Sequence, residues 1–180
     1  MRAKRGNLHK LVVRETESEE AGSYRHTNVM ITGSDHLPPD SSELSLAMRG
    51  LITWARSDIR KMHPIEFAAL LHHKLVYIHP FVDGNGRTAR LTMNLTLLHL
   101  GYPLVVILKN DRRKYYRVLS LADKGDYFPF VRFIAQAVER SLNIYLKTLS
   151  PEKERNKKYL PLSVLAKQIS YSEKYLNLLA

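Results

Sequence analysis

Residues 79–90 decide how this chain is interpreted, and they read His79-Pro80-Phe81-Val82-Asp83-Gly84-Asn85-Gly86-Arg87-Thr88-Ala89-Arg90. A helical apolar pattern leads into this stretch and must end near His79, because a residue before proline avoids the α region. A second helical pattern follows it. Gly84 and Gly86 allow successive backbone N–H groups to point into one concavity. That concavity lies at the start of a helix, where N–H groups lack internal partners and an anion is favoured.

The charged residues of this stretch also indicate a bound anion. Arg87 and Arg90 are three residues apart and project from nearly the same side of the first helical turn. Cations are disfavoured at a helix N-terminus, so two arginines there predict an anion that compensates them. Asp83 is a hard oxygen ligand suited to Mg²⁺ shared with phosphate oxygens. His79 can exchange a proton near neutral pH. The residues therefore predict a phosphate-binding loop with a metal ligand and a base at its rim.

Simpler interpretations exist for each feature taken alone. Gly-Asn-Gly is common in plain turns, and an arginine pair in a first turn is usually solvated or paired with carboxylates. A P-loop is excluded, because Phe81 stands where its first glycine would be and its lysine is missing. A dinucleotide-binding loop is excluded as well, since no strand precedes the stretch and GxGxxG is absent. The combination of features within twelve residues favours a functional site over a turn.

The flanking sequence predicts a mostly α-helical fold. Asp40 with Glu43 has the spacing of a capping box and should open one helix. Three further amphipathic patterns predict helices. One begins at Pro64, one follows residue 85 and ends at Gly101, and one runs from 130 to 149. The segment 22–33, with the β-branched arm Val29-Met30-Ile31-Thr32, predicts a short β-hairpin ahead of these helices. Residues 105–107 could form a short strand, but three residues are too few to distinguish a strand from a loop.

Composition limits the class of protein and of partner. The chain has 180 residues and no cysteine, which excludes a disulfide framework, thiolate metal sites and a cysteine nucleophile. Its formal net charge of +11 points to a polyphosphate partner, either nucleotide or nucleic acid. The sequence holds no apolar run of membrane-spanning length, and its basic start lacks the apolar stretch of a secretory signal. We therefore expect a cytoplasmic protein with no membrane partner.

The pattern His79-Pro-Phe-x-Asp-Gly-Asn-Gly-Arg-x-x-Arg90 resembles the signature of the Fic family, of the Fic/Doc fold, at every defining position. The resemblance covers roughly residues 8–149 and is closest to Fic enzymes that carry an N-terminal autoinhibitory helix. It implies a helical bundle with a short β-hairpin flap beside the active site. The domain organisation expected is a lead-in at 1–21 and a catalytic domain at 22–149. We interpret the lead-in as solvated, with one partial helix that carries Leu8, Leu11 and Val12. A linker at 150–159 and the truncated start of a winged helix-turn-helix-like segment at 160–180 would follow.

The resemblance implies adenylyl transfer from ATP to a Ser, Thr or Tyr hydroxyl of a target protein. It makes His79 the general base and Asp83 the Mg²⁺ ligand. The residues that it places around the nucleotide and the flap are Gly84, Asn85, Gly86, Arg87, Thr88, Arg90, Val29, Met30, Ile31, Thr32, Tyr116 and Asp123. Among these, the backbone of 84–86 would form the anion hole, Arg87 would hold the leaving phosphates, and Arg90 would meet the γ-phosphate or an inhibitory glutamate. Residues 29–32 would line the flap, where a segment of the target adds by strand pairing.

Alternatives stay open beside this hypothesis. The enzyme could also reverse its own modification, or be a Doc-like kinase or phosphotransferase, although Gly86 argues against the Doc pattern. A DNA-binding regulator built on a Fic-like scaffold is a further class, but we do not expect DNA binding from 160–180, which lacks a recognition helix. A homodimer is an option among the partners. His72 and His73 are interpreted as packing or surface residues, since no third metal ligand accompanies them.

The family's inhibitory motif is Ser/Thr-x-x-x-Glu followed by Gly or Asn. The Ser/Thr-to-Glu spacing occurs at Thr16…Glu20, Thr148…Glu152 and Ser150…Glu154, but neither Gly nor Asn follows at any of these places. The resemblance places this motif further upstream than residue 1, and our hypothesis is that an N-terminal inhibitory segment was removed or was never present. The length is that expected of an excised catalytic core.

Overall fold

The structure is a computed structural model that describes residues 7–14 and 21–149. Outside the described residues lie the linker predicted at 150–159 and the segment predicted at 160–180. Each of the three incomplete inhibitory motifs also lies wholly or partly outside them. The chain divides into two units, residues 1–143 and 144–180. The first holds the candidate site, and the second is described only for residues 144–149.

The described residues form a mostly α-helical fold, as the sequence predicts. The helices are α1 (Asn7–Val12), α2 (Leu44–Asp58), α3 (Pro64–Ile78), α4 (Asn85–His99), α5 (Arg112–Asp123) and α6 (Phe128–Leu149), with 3₁₀ turns at Ser41–Glu43 and Lys109–Asp111. Within the part of the chain that the structure describes, every helix is too short or too polar to span a lipid bilayer.

Predicted helix boundaries are confirmed at α2 and α3. The Asp40 carboxylate accepts a hydrogen bond from the Ser42 backbone N–H at 2.9 Å and so caps the 3₁₀ turn before α2. That backbone hydrogen bond, with further bonds from Asn28 and Ser42, lowers the pKa of Asp40 to about 2. At α3, Pro64 occupies the first turn, where its missing N–H costs nothing, and the His63 side chain caps the Ile65 N–H.

The helices that carry the candidate site pack against one another through buried apolar side chains. α3 and α4 pack along each other, and α5 and α6 cover them with buried apolar residues. A second cluster lies between α2, α3 and the first turns of α4, and its buried members are Leu44, Leu51, Leu75, Ile78 and Ala89. The loop at 79–84 is therefore held between two helices that are themselves fixed by burial.

The β-hairpin predicted at 22–33 is not confirmed, because residues 21–40 contain no strand. The two expected arms do not pair, since the polar groups of this segment find other partners. The Arg25 backbone N–H donates to Pro80 O at 2.9 Å, and Ser34 N–H closes a turn onto Ile31 O at 3.1 Å. The Asn28 side chain binds Asp40 and the Ser41 N–H. The segment is irregular, with turns at 21–22 and 32–33, and its Arg25 backbone bonds to Pro80 just beyond the end of α3.

Residues 105–107, which the sequence left undecided, do not form a strand in the described chain. The Asn94 side chain takes the place of a neighbouring strand at Val105. Its Oδ1 accepts from the Val105 N–H at 2.7 Å, and its Nδ2 donates to the Val105 carbonyl at 3.0 Å. These two bonds satisfy a buried backbone without a sheet.

Candidate active site

The candidate site begins at the end of α3, where His79 has a left-handed backbone with φ 50° and ψ 58°. Among the residues that the structure describes, His79 is the only one other than glycine that has a positive φ. Such a conformation costs free energy in a residue with a side chain and persists only where its surroundings hold it. The His79 N–H still bonds to Leu75 O at 3.2 Å. The turn therefore directs the histidine out of the helix and into the loop.

Arg25 holds this turn from outside the signature. Its side chain is 1% exposed, and it donates to three backbone carbonyls: His79 from Nε at 2.9 Å, Thr27 from Nη1 at 2.8 Å and Pro39 from Nη2. A planar guanidinium with several donors suits this task, because each donor is aimed by the same rigid plane. The sequence carries no periodic signal for such a residue, and Arg25 was not among the predicted site residues.

The His79 side chain is oriented as a proton acceptor. Its Nδ1 lies 3.3 Å from the Val76 carbonyl oxygen, which can only accept, so Nδ1 carries the hydrogen and Nε2 keeps its lone pair. Burial lowers the pKa of His79 below its ordinary value, and the positive charges of Arg25 and His36 act in the same direction. The bond to Val76 opposes this shift. A neutral imidazole with a basic Nε2 can take a proton near neutral pH.

Asn85 closes the glycine loop from inside. Its Oδ1 accepts from the Phe81 N–H at 2.9 Å, and its Nδ2 donates to the Phe81 carbonyl at 2.7 Å. Gly84 precedes α4 with φ 76°, a conformation natural to glycine. The first intrahelical bond runs from Thr88 N–H to Gly84 O at 2.8 Å, so the N–H groups of residues 85–87 lack acceptors within the helix. This arrangement is suited to an anion.

Charged side chains surround the opening of the loop, in a cavity of about 480 Å³. Arg87 donates from Nη2 to Asp83 Oδ2 at 2.9 Å and from Nη1 to Val12 O at 3.2 Å. Arg90 lies beside Gly86, where an added Cβ would be 3.5 Å from its Nη1. The cavity is lined by His79, Val82, Asp83, Gly84, Asn85, Gly86, Arg87, Arg90, Arg112 and Tyr116. Arg112, whose Cζ lies 5.6 Å from the centre of the Tyr116 ring, was not among the predicted site residues.

A second cavity, of about 230 Å³, adjoins the first and shares His79, Gly86, Arg90 and Tyr116 with it. It is more apolar, and Ile31, Thr32, Val76, Tyr115 and Asp123 are among its lining residues. A charged cavity that opens into a more apolar one matches the two ends of a nucleotide, since ligand sites combine apolar walls with a few polar groups.

Two buried histidines, His72 and His73, contact Tyr115 and Asp123, which line this second cavity. The His73 Nε2 lies 2.9 Å from Asp123 Oδ1, and His73 is 3% exposed. Burial lowers the pKa of His73 although Asp123 opposes the shift, so a neutral His73 donates to the carboxylate. The pKa of His72 falls to about 3 through burial and then the charge of Arg90, and burial raises the pKa of Tyr115 to about 12. His72 and His73 are packing residues, as the sequence indicated.

The structure brings most of the predicted site residues together and leaves three apart. Val29 and Met30 do not line either cavity, and Met30 is 84% exposed. Thr88 is buried on the other side of α4, where it lines a separate apolar cavity with Leu8 and Phe81. One residue after Arg87, a helix has turned by about 100°, so Thr88 faces the interior rather than the arginines.

α1 packs against the loop through residues that the sequence did not indicate. The partial helix expected around Leu8, Leu11 and Val12 is present, but the lead-in is not wholly solvated, because His9 is 3% and Val13 1% exposed, whereas Leu11 is 66% exposed. Six helical residues are too few for an amphipathic pattern to show which side is buried.

No cluster of three or more His, Cys, Asp or Glu side chains able to hold a metal ion occurs within residues 7–14 and 21–149. The donor set nevertheless fits Mg²⁺ in the form in which it accompanies phosphates, with one carboxylate, water and substrate oxygens. The Asp83 side chain is 69% exposed beside the loop N–H groups and so is accessible to such an ion.

Comparisons with known proteins identify relatives of the chain. Residues 6–97 match the Fic/DOC family. The chain is 48% identical over 140 residues to a protein adenylyltransferase Fic of Drosophila melanogaster, covering 77% of this chain and 28% of the relative. It is 49% identical over 140 residues to one of Nematostella vectensis, covering 77% and 32%. The chain thus spans about three tenths of the length of these curated relatives.

Solved structures with a similar fold include Fic proteins of an animal and a bacterium. The C. elegans protein Fic-1 aligns with a TM-score of 0.73 and 34% identity, over 82% of this chain and 44% of that one. A Fic domain-containing signalling protein of Bacteroides thetaiotaomicron aligns with a TM-score of 0.72 and 30% identity, over 79% and 62%.

Proposed function

Because the chain belongs to the Fic/DOC family, we propose that it is a protein adenylyltransferase, which moves AMP from ATP to a hydroxyl group of a target protein. The relatives that it resembles carry that name. The single observation that carries the proposal is His79, which lines both the arginine-lined cavity and the apolar cavity next to it and whose Nδ1 bond to Val76 leaves Nε2 unprotonated.

In the proposed reaction, the target hydroxyl oxygen forms a bond to the α-phosphorus of ATP while the bond from that phosphorus to the bridging oxygen breaks. The His79 Nε2 takes the hydroxyl proton, and pyrophosphate leaves with the electron pair of the broken bond. Group transfer of this kind depends on positioning and on stabilising charge more than on covalent catalysis. The lowered pKa of His79 supports its role, since the ring stays neutral and able to accept a proton.

The loop and the arginines would bind the phosphates. The N–H groups of residues 84–86 would form the anion hole, and Arg87, Arg90 and Arg112 would balance the charge of the leaving pyrophosphate. Asp83 would hold Mg²⁺, which supplies a positive charge shared with the phosphate oxygens when bound. Asp83 already pairs with Arg87 at 2.9 Å, so these groups are close enough to act on one triphosphate.

The apolar cavity would take the nucleoside. Ile31, Thr32 and Tyr116 would contact it, and Asp123, held by His73, would accept a hydrogen bond from it. Thr88 was also predicted to bind the nucleotide, but its burial on the far side of α4 does not support a direct contact.

The target would bind along residues 29–32. This segment is irregular and has no strand partner, and Met30 is 84% exposed, which supports pairing of its backbone with an added strand. Its role as a flap, a homodimer, the reverse reaction and the cytoplasmic location stay predictions.

The test compares the wild-type chain with His79→Ala. The variant should lose AMP transfer to protein hydroxyls while binding ATP with nearly unchanged affinity in titration calorimetry. A matched control, His99→Ala at the exposed end of α4, should keep transfer. Full transfer by His79→Ala would overturn the role of His79 as base.

A further inference from the structure

His9, on α1, joins two segments that are distant in the sequence. Its Nε2 lies 2.9 Å from the Asp83 carbonyl oxygen, and its Nδ1 accepts from the Gly22 backbone N–H at 2.8 Å. The side chain is 3% exposed. It therefore forms a buried bridge between the start of residues 21–40 and the loop before α4.

The partners fix the form of the imidazole. A backbone N–H can only donate, so Gly22 requires an unprotonated Nδ1. A carbonyl oxygen can only accept, so Asp83 requires the hydrogen on Nε2. His9 consequently offers one acceptor and one donor at a fixed separation, which few side chains can do.

The ring also contacts the loop through its face. It stacks on Phe81 with the ring centres 3.7 Å apart and the planes within 6° of parallel. The backbone of Phe81 is held in turn by Asn85. A Cβ added to Gly84 would lie 3.3 Å from His9 Nε2 and 2.8 Å from Val13 Cγ1. α1 thus packs closely against the back of residues 81–84.

This contact acts on the direction of an N–H group in the candidate anion hole. The Asp83 carbonyl and the Gly84 N–H belong to one planar trans peptide, in which they point in opposite directions. Holding the carbonyl towards α1 therefore aims the Gly84 N–H away from α1, to the side of the arginine-lined cavity that Gly84 borders.

We propose that His9 is a positioning residue, whose hydrogen bond to the Asp83 carbonyl orients the peptide of Gly84 for phosphate binding. The kinetic consequence rests on the proposed AMP transfer, but the orientation of the loop does not. His9 touches neither substrate nor reacting atoms in this role.

Two substitutions separate the hydrogen bonds of His9. Glutamine places an amide nitrogen near the former Nε2, so His9→Gln keeps a donor for Asp83 and loses the acceptor for Gly22. Asparagine is shorter and places its oxygen near the former Nδ1, so His9→Asn keeps the acceptor for Gly22 and loses the donor for Asp83. Both lose the ring that stacks on Phe81, so each serves as the control for the other in stability.

The first measurement is AMP transfer with the 180-residue chain. We expect His9→Asn to lower kcat/KM for ATP by about tenfold to a hundredfold, since small misplacements of a positioning group cost that much. His9→Gln should stay within about threefold of wild type. Equal losses in the two variants, at equal thermal stability, would overturn the proposal.

The second measurement is amide hydrogen exchange, which requires no activity. His9→Asn should speed exchange at Phe81 and Thr88, whose N–H groups donate to Asn85 Oδ1 and to the Gly84 carbonyl, and leave Gly22 protected. His9→Gln should do the reverse. The same exchange pattern in both variants would overturn the proposal. If the wild-type chain transfers no AMP, the proposed function fails, while this crossed pattern still decides the role of His9.

Discussion

The Arg25 Nε donates a hydrogen bond to the carbonyl oxygen of His79 across 2.9 Å, from a position 54 residues earlier in the chain. The bond falls on the residue with the strained left-handed backbone at the end of α3. The conformation of the proposed base therefore depends on a buried arginine outside the signature.

Arg25→Ala should lower both stability and AMP transfer. Removal of the guanidinium leaves the carbonyls of Thr27, Pro39 and His79 without their buried donor, and we expect a loss of about 2–4 kcal/mol in the free energy of unfolding. Arg25→Lys should recover part of the stability but little transfer, because one ammonium cannot serve three carbonyls in fixed directions.

Urea denaturation and initial transfer rates would check this prediction. The control is Arg56→Ala on the exposed face of α2, which should change stability by no more than about 0.5 kcal/mol. Arg25→Lys with wild-type transfer would contradict the dependence of His79 on this contact.

Stability should fall as pH drops below 6.5. Burial lowers the pKa of His72 to about 3 from an ordinary 6.5, so the unfolded chain binds a proton that the folded chain does not. Between these pH values the group costs about 1.4 kcal/mol per pH unit. His73 and His79 act in the same direction, whereas the stabilisation from Asp40 is lost only as pH falls from 3.8 towards 2.

Urea unfolding of wild type and His72→Gln at several pH values from 7 to 4.5 would measure this slope. In the variant, the slope of unfolding free energy against pH should be smaller by up to about 1.4 kcal/mol per pH unit, the contribution of one proton. Identical slopes for the two proteins would contradict the buried neutral state of His72.

Gly84→Ala should be more destabilising than Gly125→Ala. Both glycines have positive φ, 76° and 93°, so alanine is strained at each by about 1–2 kcal/mol. Only at Gly84 would the new Cβ also meet Val13 Cγ1, at 2.8 Å, while nothing lies within 4 Å at Gly125. The added crowding should cost about 1–3 kcal/mol more. Thermal denaturation would measure both, and equal losses would show that α1 does not pack on the loop as described.

Asp83→Asn should remove the enhancement of ATP binding by Mg²⁺. The carboxylate would be the protein's charged ligand to the ion. ATP binding without Mg²⁺ should persist, because the arginines and loop N–H groups remain. Titration calorimetry with and without Mg²⁺ would check this, with the exposed Asp126→Asn as control. A full Mg²⁺ enhancement in Asp83→Asn would contradict the assignment.

The local features of the fold could be predicted from sequence, because they depend on local chemistry. The α3 boundary follows from Pro64 and Pro80, and the cap at Asp40 follows from spacing. α5 was missed because its four basic residues, at 112–114 and 117, dominate the first half of the helix and obscure the apolar spacing of its buried Tyr115, Val118, Leu119 and Ala122. The hairpin prediction failed because β-branched residues at 29–32 indicate an extended chain but do not determine its hydrogen-bond partner.

Contacts across long separations explain what the sequence could not show of the site. The signature at 79–90 indicated the loop, the arginines and the base. It carried no information that His9, Arg25 and Arg112 lie against that loop, since nothing in their local sequence distinguishes them from surface residues. Thr88 was assigned to the site by its place in the motif, whereas helical geometry turns it into the interior.

Incubation with Mg²⁺ and ATP labelled at either the α- or the γ-phosphate tests the central claim most directly. A cell extract supplies the acceptor hydroxyls, and His79→Ala is the control. AMP transfer predicts protein-bound label from α-labelled ATP only, dependent on His79. Label from γ-labelled ATP only would identify a kinase, and label from neither would contradict a transferase.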